Sequence, residues 1–280
     1  MNINCKGNLI DLTTPKIMGI LNVTPNSFYD GGRYDTLDSA LDQATKMLEE
    51  GARFVDVGGA SSKPGVEEIS ETEELKRVIP IIEALHNNFP EAILSIDTYR
   101  SAVAKEAIEA GAHVVNDISA GNLDPAMLTT VGKLGVPYIA MHMQGTPQNM
   151  QDNPTYEDIL VAIRYFFSNK VKEARNAGIT DIILDPGFGF GKSIHDNFTL
   201  LRHLDSLRLE GVPLLVGVSR KSMIYKTLDI DAAASLNGTT VLNTIALNQG
   251  AQLLRVHDVK EAKEAIRLME QLHAANPINP

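Results

Sequence analysis

A polar segment that follows an apolar run, at residues 182–192, is the first place where the sequence suggests chemistry. The apolar, β-branched residues before Asp185 predict a strand buried on both faces, and a proline after the acid ends it. Three glycines in the following loop would let the backbone approach a ligand closely, with Phe188 and Phe190 as flat walls and Lys192 as a cation. These residues indicate a binding site; the alternative is an ordinary turn whose acid caps a helix.

Polar residues of similar kinds follow apolar, strand-like runs along the whole chain. They are Asn22, Asp56, Asp97, Asn116, His142, Asp185, Lys221, Arg255 and His257. Helix capping and solvated loops account for some polar residues after strands. Asn and Asp at neighbouring strand ends, with cations at the last two, exceed what capping needs, and we expect them to form one ligand site.

The residue types of this set favour a flat, nitrogen-rich ligand. Asp97, Asn116 and Asp185 offer carboxylate and amide groups that can pair with the N–H and ring-nitrogen groups of a guanidine-like heterocycle. Lys221 can donate to a ring carbonyl, and the planar guanidinium of Arg255 can stack on a ring face while it reaches an anion. The pattern predicts a polar heterocycle as one ligand.

A second group of residues favours a diphosphate. Arg255, His257, Lys63 and Asn22 could hold it together, with a divalent cation bridging the diphosphate and Asn22. The combined set therefore predicts a heterocycle that carries a diphosphate leaving group.

Eight strand signals, each followed by a helix signal, must position these residues. The 280 residues are about the length of a (β/α)8 barrel, an α/β fold in which the active site lies at the carboxyl ends of the strands. A doubly wound sheet is the main alternative, but it would normally carry a glycine fingerprint after the first strand, and residues 22–25 have none. We find no linker or change in composition, and expect one barrel domain over residues 1–280.

The composition narrows the class of protein and its partners. The net charge of −10 argues against nonspecific binding to nucleic acid or to anionic membranes. The apolar runs are too short for a membrane span or a secretory leader, and the single cysteine, Cys5, fits a reducing compartment. We expect a cytoplasmic protein with a basic pocket for a small anionic ligand.

Eight motifs in register are similar to the successive motifs of the dihydropteroate synthase family, from about residue 16 to about residue 269. The motifs lie at residues 20–25, 56–59, 95–98, 116–118, 141–145, 185–192, 217–222 and 255–258. Any one motif alone would be weak, but eight in order are specific. The resemblance implies that (7,8-dihydropterin-6-yl)methyl diphosphate condenses with 4-aminobenzoate to give 7,8-dihydropteroate and diphosphate in folate biosynthesis.

The resemblance also implies roles for individual residues. The expected pterin contacts are Asp97, Asn116, Asp185 and Lys221, with Arg255 against the ring; Met141 and Gly217 belong to the same expected substrate-binding set. Asn22 would hold Mg2+, and Arg255, His257 and the Lys63 loop would hold the diphosphate. The expected border of the 4-aminobenzoate site is Phe190, Lys221, Ser222, Ser62 and Pro64. Asp30 would assist the incoming amine or, alternatively, cap a turn.

The implied mechanism is dissociative: diphosphate leaves first, and the ring electrons and nearby carboxylates stabilise the cation on the pterin methylene. The family resemblance further suggests a homodimer formed through the late helices. Apolar residues such as Leu242, Ile245 and Leu247 are equally explained by packing on the outside of the barrel.

Two loops depart from the family pattern. Asn26 stands where aspartate is usual and Lys63 where arginine is usual, and Ala60 and Ser62 replace the commoner Glu and Thr. Lys63 keeps the charge without the two-pronged geometry of arginine, and Asn26 keeps the shape without the charge. We expect turnover, or the discrimination between aminobenzoate and sulfonamides, to differ from the family norm.

Two other functions have to be separated from this one. A pterin-binding methyltransferase of the related barrel family would share the acidic contacts, but it would not need Lys63, residues 219–222 and Arg255 with His257 for diphosphate. A paralogue that binds pterin but has lost catalysis through its loop changes is the second alternative. Release of diphosphate on mixing the two substrates would separate all three.

Overall fold

The computed structural model describes residues 1–23, 33–60, 68–150, 152 and 154–275. Its main sheet contains eight parallel strands. A separate antiparallel hairpin, β1 (Asn2–Cys5) and β2 (Asn8–Asp11), precedes this sheet. The barrel strands are β3 (Lys16–Asn22), β4 (Phe54–Gly58), β5 (Ile93–Asp97), β6 (Val114–Asp117), β7 (Tyr138–Met141), β8 (Ile182–Asp185), β9 (Leu215–Val216) and β10 (Leu253–Val256).

The strand order β8-β7-β6-β5-β4-β3-β10-β9 follows the chain around the sheet. A parallel bridge between Leu184 and Leu214 joins the first and last strands, and the Leu184 amide donates to the Pro213 carbonyl at 2.9 Å. This contact brings the sheet around to meet itself, and the predicted (β/α)8 barrel is confirmed.

Helices alternate with the strands on the outside of the barrel. In the described residues they are α1 (Arg33–Glu50), α2 (Glu71–Asn88), α3 (Ser101–Glu109), α4 (Met127–Leu134), α5 (Ile159–Asn176), α6 (Ile194–Arg202), α7 (Ser222–Leu228), α8 (Leu236–Asn248) and α9 (Val259–Ala274). A helix was predicted after each barrel strand, but α7, which precedes α8, was not predicted. None of the helices in the described ranges is long and apolar enough to cross a membrane.

Side-chain caps define where several helices begin. The Ser70 hydroxyl accepts a hydrogen bond from the Glu73 amide at the start of α2, and Ser193 forms a capping box with Asp196 at the start of α6. At α3, Thr98 accepts from the Arg100 amide instead of from a first-turn amide, so it caps the bend before the helix.

The interior of the barrel is filled by one apolar side chain from each strand. This layer consists of Met18, Phe54, Ile93, Val114, Ile139, Ile183, Leu215 and Leu253. Each of these side chains is at most 1% exposed. Because side chains alternate between the two faces of a strand, the residues between them point outward and pack under the helices.

The N-terminal hairpin covers the end of this apolar layer. Ile3, Cys5 and Ile10 of the hairpin, with Leu12 just after it, belong to the same buried cluster as the inner strand residues. Burial raises the pKa of the Cys5 thiol to about 12, so the group stays a neutral thiol. The hairpin therefore closes the N-terminal end of the barrel.

Candidate active site

The inner face of the barrel changes from apolar to polar toward the carboxyl ends of the strands. Counting two residues on from the apolar layer keeps the side chain on the same face of a strand. The residues reached in this way are Ile20, Asp56, Ser95, Asn116, Met141, Asp185, Gly217 and Arg255, and Asp97 lies two residues beyond Ser95. The strand period therefore brings most of the predicted pterin contacts into one place above the apolar layer.

Arg255 lies between two acids of this set. Its Nε donates to Asp56 Oδ2 and its Nη2 to Asp97 Oδ2, both at 2.6 Å. Asn116 Nδ2 donates to the same Asp56 oxygen at 2.9 Å. These contacts fix the guanidinium of Arg255. Arg255 contacts only Oδ2 of Asp97, so Oδ1 can accept a hydrogen bond from a ligand.

Burial and neighbouring charges change the protonation of this group. Loss of hydration raises the pKa of Asp97, Arg255 opposes the rise, and the Asp56 and Glu74 carboxylates add to it, so that the pKa lies at about 7. The two carboxylates that contact Arg255 raise its own pKa, so its guanidinium stays charged. The Asp97 carboxyl therefore titrates near neutral pH beside a permanent cation.

The second pair of charged groups is Lys221 and Asp185. Lys221 Nζ donates to the Phe188 carbonyl and lies 4.7 Å from the centroid of the Phe190 ring. Burial lowers the pKa of Lys221 to about 8, against the opposing effect of Asp185. Burial raises the pKa of Asp185, and Lys221 and a hydrogen bond from the Gly187 amide at 2.7 Å oppose the rise.

Two expectations for the loop after β8 are wrong. Phe188 is fully buried in the helix-side core, so its ring forms no wall of the site, although its carbonyl accepts from Lys221. Lys192 is 4% exposed, and its ammonium donates to backbone carbonyls instead of facing a ligand. Phe190 is half-buried against Lys221, as expected of a wall.

Asp56 also differs from its predicted position. It was expected at a strand end but lies in the middle of β4, where it is completely buried. Its Oδ1 and the Ser95 hydroxyl of the paired strand are buried without a hydrogen-bond partner. The sequence analysis did not single out Ser95, although its spacing of two residues from Asp97 was a signal that both share a face.

The rim after β9 and β10 carries a second hydrogen-bonded group that the sequence analysis only partly assigned. The Ser219 hydroxyl lies 3.0 Å from His257 Nδ1 and accepts from the His257 amide at 3.2 Å. Arg220, at φ +55°, pairs through Nε and Nη2 with Asp258. Ser219 therefore orients His257, whose ring is exposed at the rim.

The other predicted site residues in the described ranges lie around these groups. Met141 ends β7 and pairs in register with Asp185, Gly217 follows β9, and Ser222 begins α7 next to Lys221. A Cβ on Gly217 would lie 3.8 Å from Arg255 Cβ, so this backbone borders the site. His142, which was expected in the ligand set, is buried, with its ring 4.8 Å from Phe166 and its Nδ1 2.9 Å from Lys192 Nζ, so it packs beside the loop.

Asn22 is exposed at the end of β3, opposite Gly58. The described residues contain no group of three or more His, Cys, Asp or Glu side chains that could hold a metal. This does not conflict with magnesium, because Mg2+ usually takes one or two protein oxygens together with substrate phosphates and water. The exposed amide of Asn22, which lies across Gly58 from Asp97, fits such a role.

Five residues named from the sequence lie outside the described part of the chain: Asn26, Asp30, Ser62, Lys63 and Pro64. The described residues alone combine a set of hydrogen-bonding acids and an amide with two half-buried cations, Lys221 and Arg255. This arrangement can bind a flat ring through its polar edge and stabilise charge that develops next to it.

Comparison with known proteins agrees with the geometry. A family model described as pterin binding enzyme matches residues 18–257. The dihydropteroate synthase of Escherichia coli (strain K12) is 43% identical over 272 residues, which cover 96% of this chain and 96% of that protein.

Two solved structures are similar over nearly the whole chain. A crystal structure of dihydropteroate synthase from Yersinia pestis with a sulfonamide drug has a TM-score of 0.93 and 46% sequence identity, covering 98% of this chain and 100% of that chain. Dihydropteroate synthase from Xanthomonas albilineans in complex with 7,8-dihydropteroate has a TM-score of 0.89 and 37% identity, covering 99% and 100%.

Proposed function

The chain belongs to the dihydropteroate synthase family of pterin-binding enzymes, and from this membership we propose how its barrel mouth performs the reaction. The protein is a transferase of folate biosynthesis that joins (7,8-dihydropterin-6-yl)methyl diphosphate to 4-aminobenzoate. The products are 7,8-dihydropteroate and diphosphate.

One observation carries the assignment of the ring site: Arg255 joins Asp56 and Asp97, and Asn116 joins the same Asp56 oxygen. The free carboxylate edges of Asp97 and Asp185 accept from the N–H groups of the pterin ring, and Asn116 contributes amide contacts. Lys221 donates to the ring carbonyl, and Arg255 lies against the ring face.

The reaction proceeds by departure of diphosphate before the new bond forms. The carbon–oxygen bond to diphosphate breaks, and the positive charge left on the methylene is shared with the ring. Asp97 and Asp185 stabilise this charge from fixed positions, because their backbone ladder and hydrogen bonds hold them before substrate binds. The aminobenzoate nitrogen then attacks the methylene carbon and loses a proton, which Asp30 is proposed to assist.

Diphosphate binds toward the rim. Arg255 and His257 contact it, together with Lys63 of the second loop, and Ser219 keeps His257 oriented. We assign Asn22 to Mg2+, which neutralises the negative charge of the leaving diphosphate when bound. Support for this assignment is the exposed position of Asn22 at the end of β3, where Gly58 lies between it and Asp97.

The 4-aminobenzoate site is assigned to Phe190, Lys221 and Ser222, with Ser62 and Pro64 from the second loop. The aromatic face of Phe190 beside the Lys221 ammonium suits an aromatic ring that carries a carboxylate. Ser222 at the start of α7 adds a hydroxyl and the N-terminal end of a helix, which also favours a carboxylate.

The decisive experiment mixes the purified protein with both substrates and Mg2+ and measures 7,8-dihydropteroate and diphosphate together. We expect equal amounts of the two products. Diphosphate without dihydropteroate would contradict the condensation, and neither product would favour the impaired pterin-binding paralogue. Transfer of a methyl group from methyl-tetrahydrofolate to a corrinoid partner would favour the methyltransferase instead.

We propose a homodimer that covers the outer faces of α8 and α9. Val241, Ile245, Leu268 and Leu272 are between 39% and 71% exposed on these two adjacent helices, whereas Leu242 and Leu247 pack inward. A dimer would remove these four side chains from water. Sedimentation of the wild type and of Leu268→Glu tests this. We expect the wild type to be a dimer and the variant a monomer; a monomeric wild type would contradict the proposal.

The reducing cytoplasm remains the proposed compartment, supported by the single buried cysteine.

A further inference from the structure

The buried ammonium of Lys192 contacts four acceptors in the loop that follows β8 and in the segment beside it. Its Nζ lies 3.0 Å from the Gly187 carbonyl, 2.9 Å from the Phe190 carbonyl and 3.2 Å from the His142 carbonyl. His142 Nδ1 is 2.9 Å away on the same side. An ammonium has three donors, so these acceptors use all of its hydrogen-bonding capacity.

Lys192 contacts the carbonyls of Gly187 and Phe190, and the groups that contact Lys221 belong to the same short segment. Phe188, whose carbonyl accepts from Lys221, follows Gly187, and the Phe190 ring lies over the Lys221 ammonium. Movement of this loop would therefore move a hydrogen-bond acceptor and an aromatic wall of the site together. The loop has little intrinsic rigidity, since Gly187, Gly189 and Gly191 all have positive φ.

The groups assigned to the pterin ring are held in another way. Asp185 ends β8 and its carbonyl accepts from the His142 amide at 2.9 Å, while Arg255 and Asn116 hold Asp56 and Asp97 across the barrel. The loop reaches this side of the site through the Gly187 amide, which donates to Asp185 Oδ1 at 2.7 Å, and through Lys221. The contacts that join Arg255 and Asn116 to Asp56 and Asp97 involve no residue of the loop. A change at Lys192 thus affects one half of the site more than the other.

We propose that Lys192 is a positioning residue for the second substrate: its four contacts hold the 187–190 loop so that Phe190 and Lys221 form the aminobenzoate pocket. This inference rests on the proposed function. Burial lowers the pKa of Lys192 to about 7, because the group lies away from water, and the Asp185 carboxylate opposes this effect.

Lys192→Met removes every donor and keeps the length of the side chain. We expect the KM for 4-aminobenzoate to rise about tenfold or more and the KM for the pterin diphosphate to change by less than about threefold. Lys192→Gln keeps two donors and should give an intermediate KM for 4-aminobenzoate. If the Met variant does not fold, the Gln variant decides.

Three controls separate positioning from general damage. Tyr156→Phe removes one hydrogen bond to the same loop, at the Gly191 carbonyl, without touching the ammonium. Lys172→Met removes an exposed lysine of α5, and Leu85→Ala lowers stability from the fully buried core near the end of α2. We expect none of the three to raise the KM for 4-aminobenzoate selectively.

Hydrogen–deuterium exchange of amides 187–191 provides a second readout, and we expect faster exchange in Lys192→Met than in Tyr156→Phe. Unchanged KM values, an equal rise in both KM values, or the same selective rise in Leu85→Ala would overturn the proposal. A wild-type protein that formed no dihydropteroate would refute the proposed function instead, and the exchange rates would still decide whether Lys192 orders the loop.

Discussion

At the scale of single residues, the site depends on a carboxylate that no substrate needs to touch. Asp56 is completely buried, and one of its oxygens accepts from both Arg255 and Asn116. It therefore sets the position of two groups that are assigned to the pterin ring. Arg255 and Asn116 both donate to Asp56. An asparagine at residue 56 would present its own NH2 donor to one of these two donors.

We expect Asp56→Asn to lower kcat/KM by about 10²-fold, since a displacement of about 1 Å at the reacting groups has an effect of this size. The measurement is steady-state formation of dihydropteroate, with the exposed Asp42→Asn as the matched control. A value within about twofold of the wild type would show that Asp56 does not position Arg255.

The pH dependence of kcat/KM follows from Asp97 and Lys221. The Asp97 carboxylate accepts from the ring only after it loses its proton near pH 7, and Lys221 donates only while it is protonated, below about pH 8. We therefore expect kcat/KM to rise as the pH increases through about 7 and to fall above about pH 8. The pH dependence of kcat/KM reports the groups of the free enzyme. Lys221→Arg should remove the alkaline fall, because a guanidinium stays protonated. A flat profile between about pH 6 and pH 9 would contradict both assignments.

Residue types and their position after strand-like runs predicted which acids and amides lie together at the barrel mouth, because the carboxyl ends of the strands share one face. They did not predict the role of Lys192. A lysine next to a predicted ligand loop can face the ligand or turn under the loop, and local sequence does not distinguish the two. The departures Asn26 and Lys63 lie outside the described residues, so their effect on sulfonamide discrimination stays a prediction.

At the scale of elements, the loop after β8 requires glycine for steric reasons. A Cβ at Gly187, where φ is +69°, would lie 1.9 Å from the His142 carbonyl oxygen. Gly135 has a similar φ of +64°, but a Cβ there would meet no atom within 4 Å. Alanine at either position would have to adopt a left-handed backbone conformation, but only alanine at residue 187 would also collide with a carbonyl oxygen.

Gly135→Ala should lower the free energy of unfolding by about 1 kcal/mol, which is the cost of a left-handed backbone for alanine. Gly187→Ala should cost about 1–3 kcal/mol more, because the backbone must also move away from the carbonyl. It should also raise the KM for 4-aminobenzoate, since the same loop carries Phe190. Denaturant unfolding and kinetics of both variants check this; equal stability losses would contradict the steric argument.

Element boundaries were predictable where the sequence has a clear signal and not elsewhere. The bounds of α2 and α9 are predictable, because their apolar residues recur at helical spacing. The short α7 was missed, since it follows the predicted 219–222 motif directly and has only 7 residues. Thr98 is of a residue type typical of an N-cap, but the Asp124 carboxylate accepts from the Ser101 amide at the start of α3, and sequence alone does not reveal such a distant partner.

At the scale of the whole molecule, the barrel was predictable and its N-terminal cover was not. Eight repeats of strand and helix specify the topology, because parallel neighbours require crossover helices. The hairpin strands have 4 residues each and lie in a polar segment. Their alternation of exposed and buried residues was the signal, but four residues are too few to separate it from chance.

The hairpin predicts a sharp contrast between two neighbouring residues. Ile10 is 4% exposed and packs on the inner apolar layer, whereas Leu9 is 71% exposed. We expect Ile10→Ala to lower the free energy of unfolding by about 2–5 kcal/mol. Leu9→Ala should change it by no more than about 0.5 kcal/mol. Similar losses in the two variants would show that the hairpin does not seal the barrel.

The same cover gives the described barrel a single entrance, at the carboxyl ends of the strands. Most residues assigned to the pterin ring lie directly above the apolar layer, whereas Phe190 and Ser222, assigned to 4-aminobenzoate, lie beyond the strand ends, in the loop after β8 and at the start of α7. Bound aminobenzoate would then obstruct the path of the bicyclic ring. Steady-state kinetics should therefore be sequential and ordered, with the pterin substrate adding first and dihydropteroate leaving last.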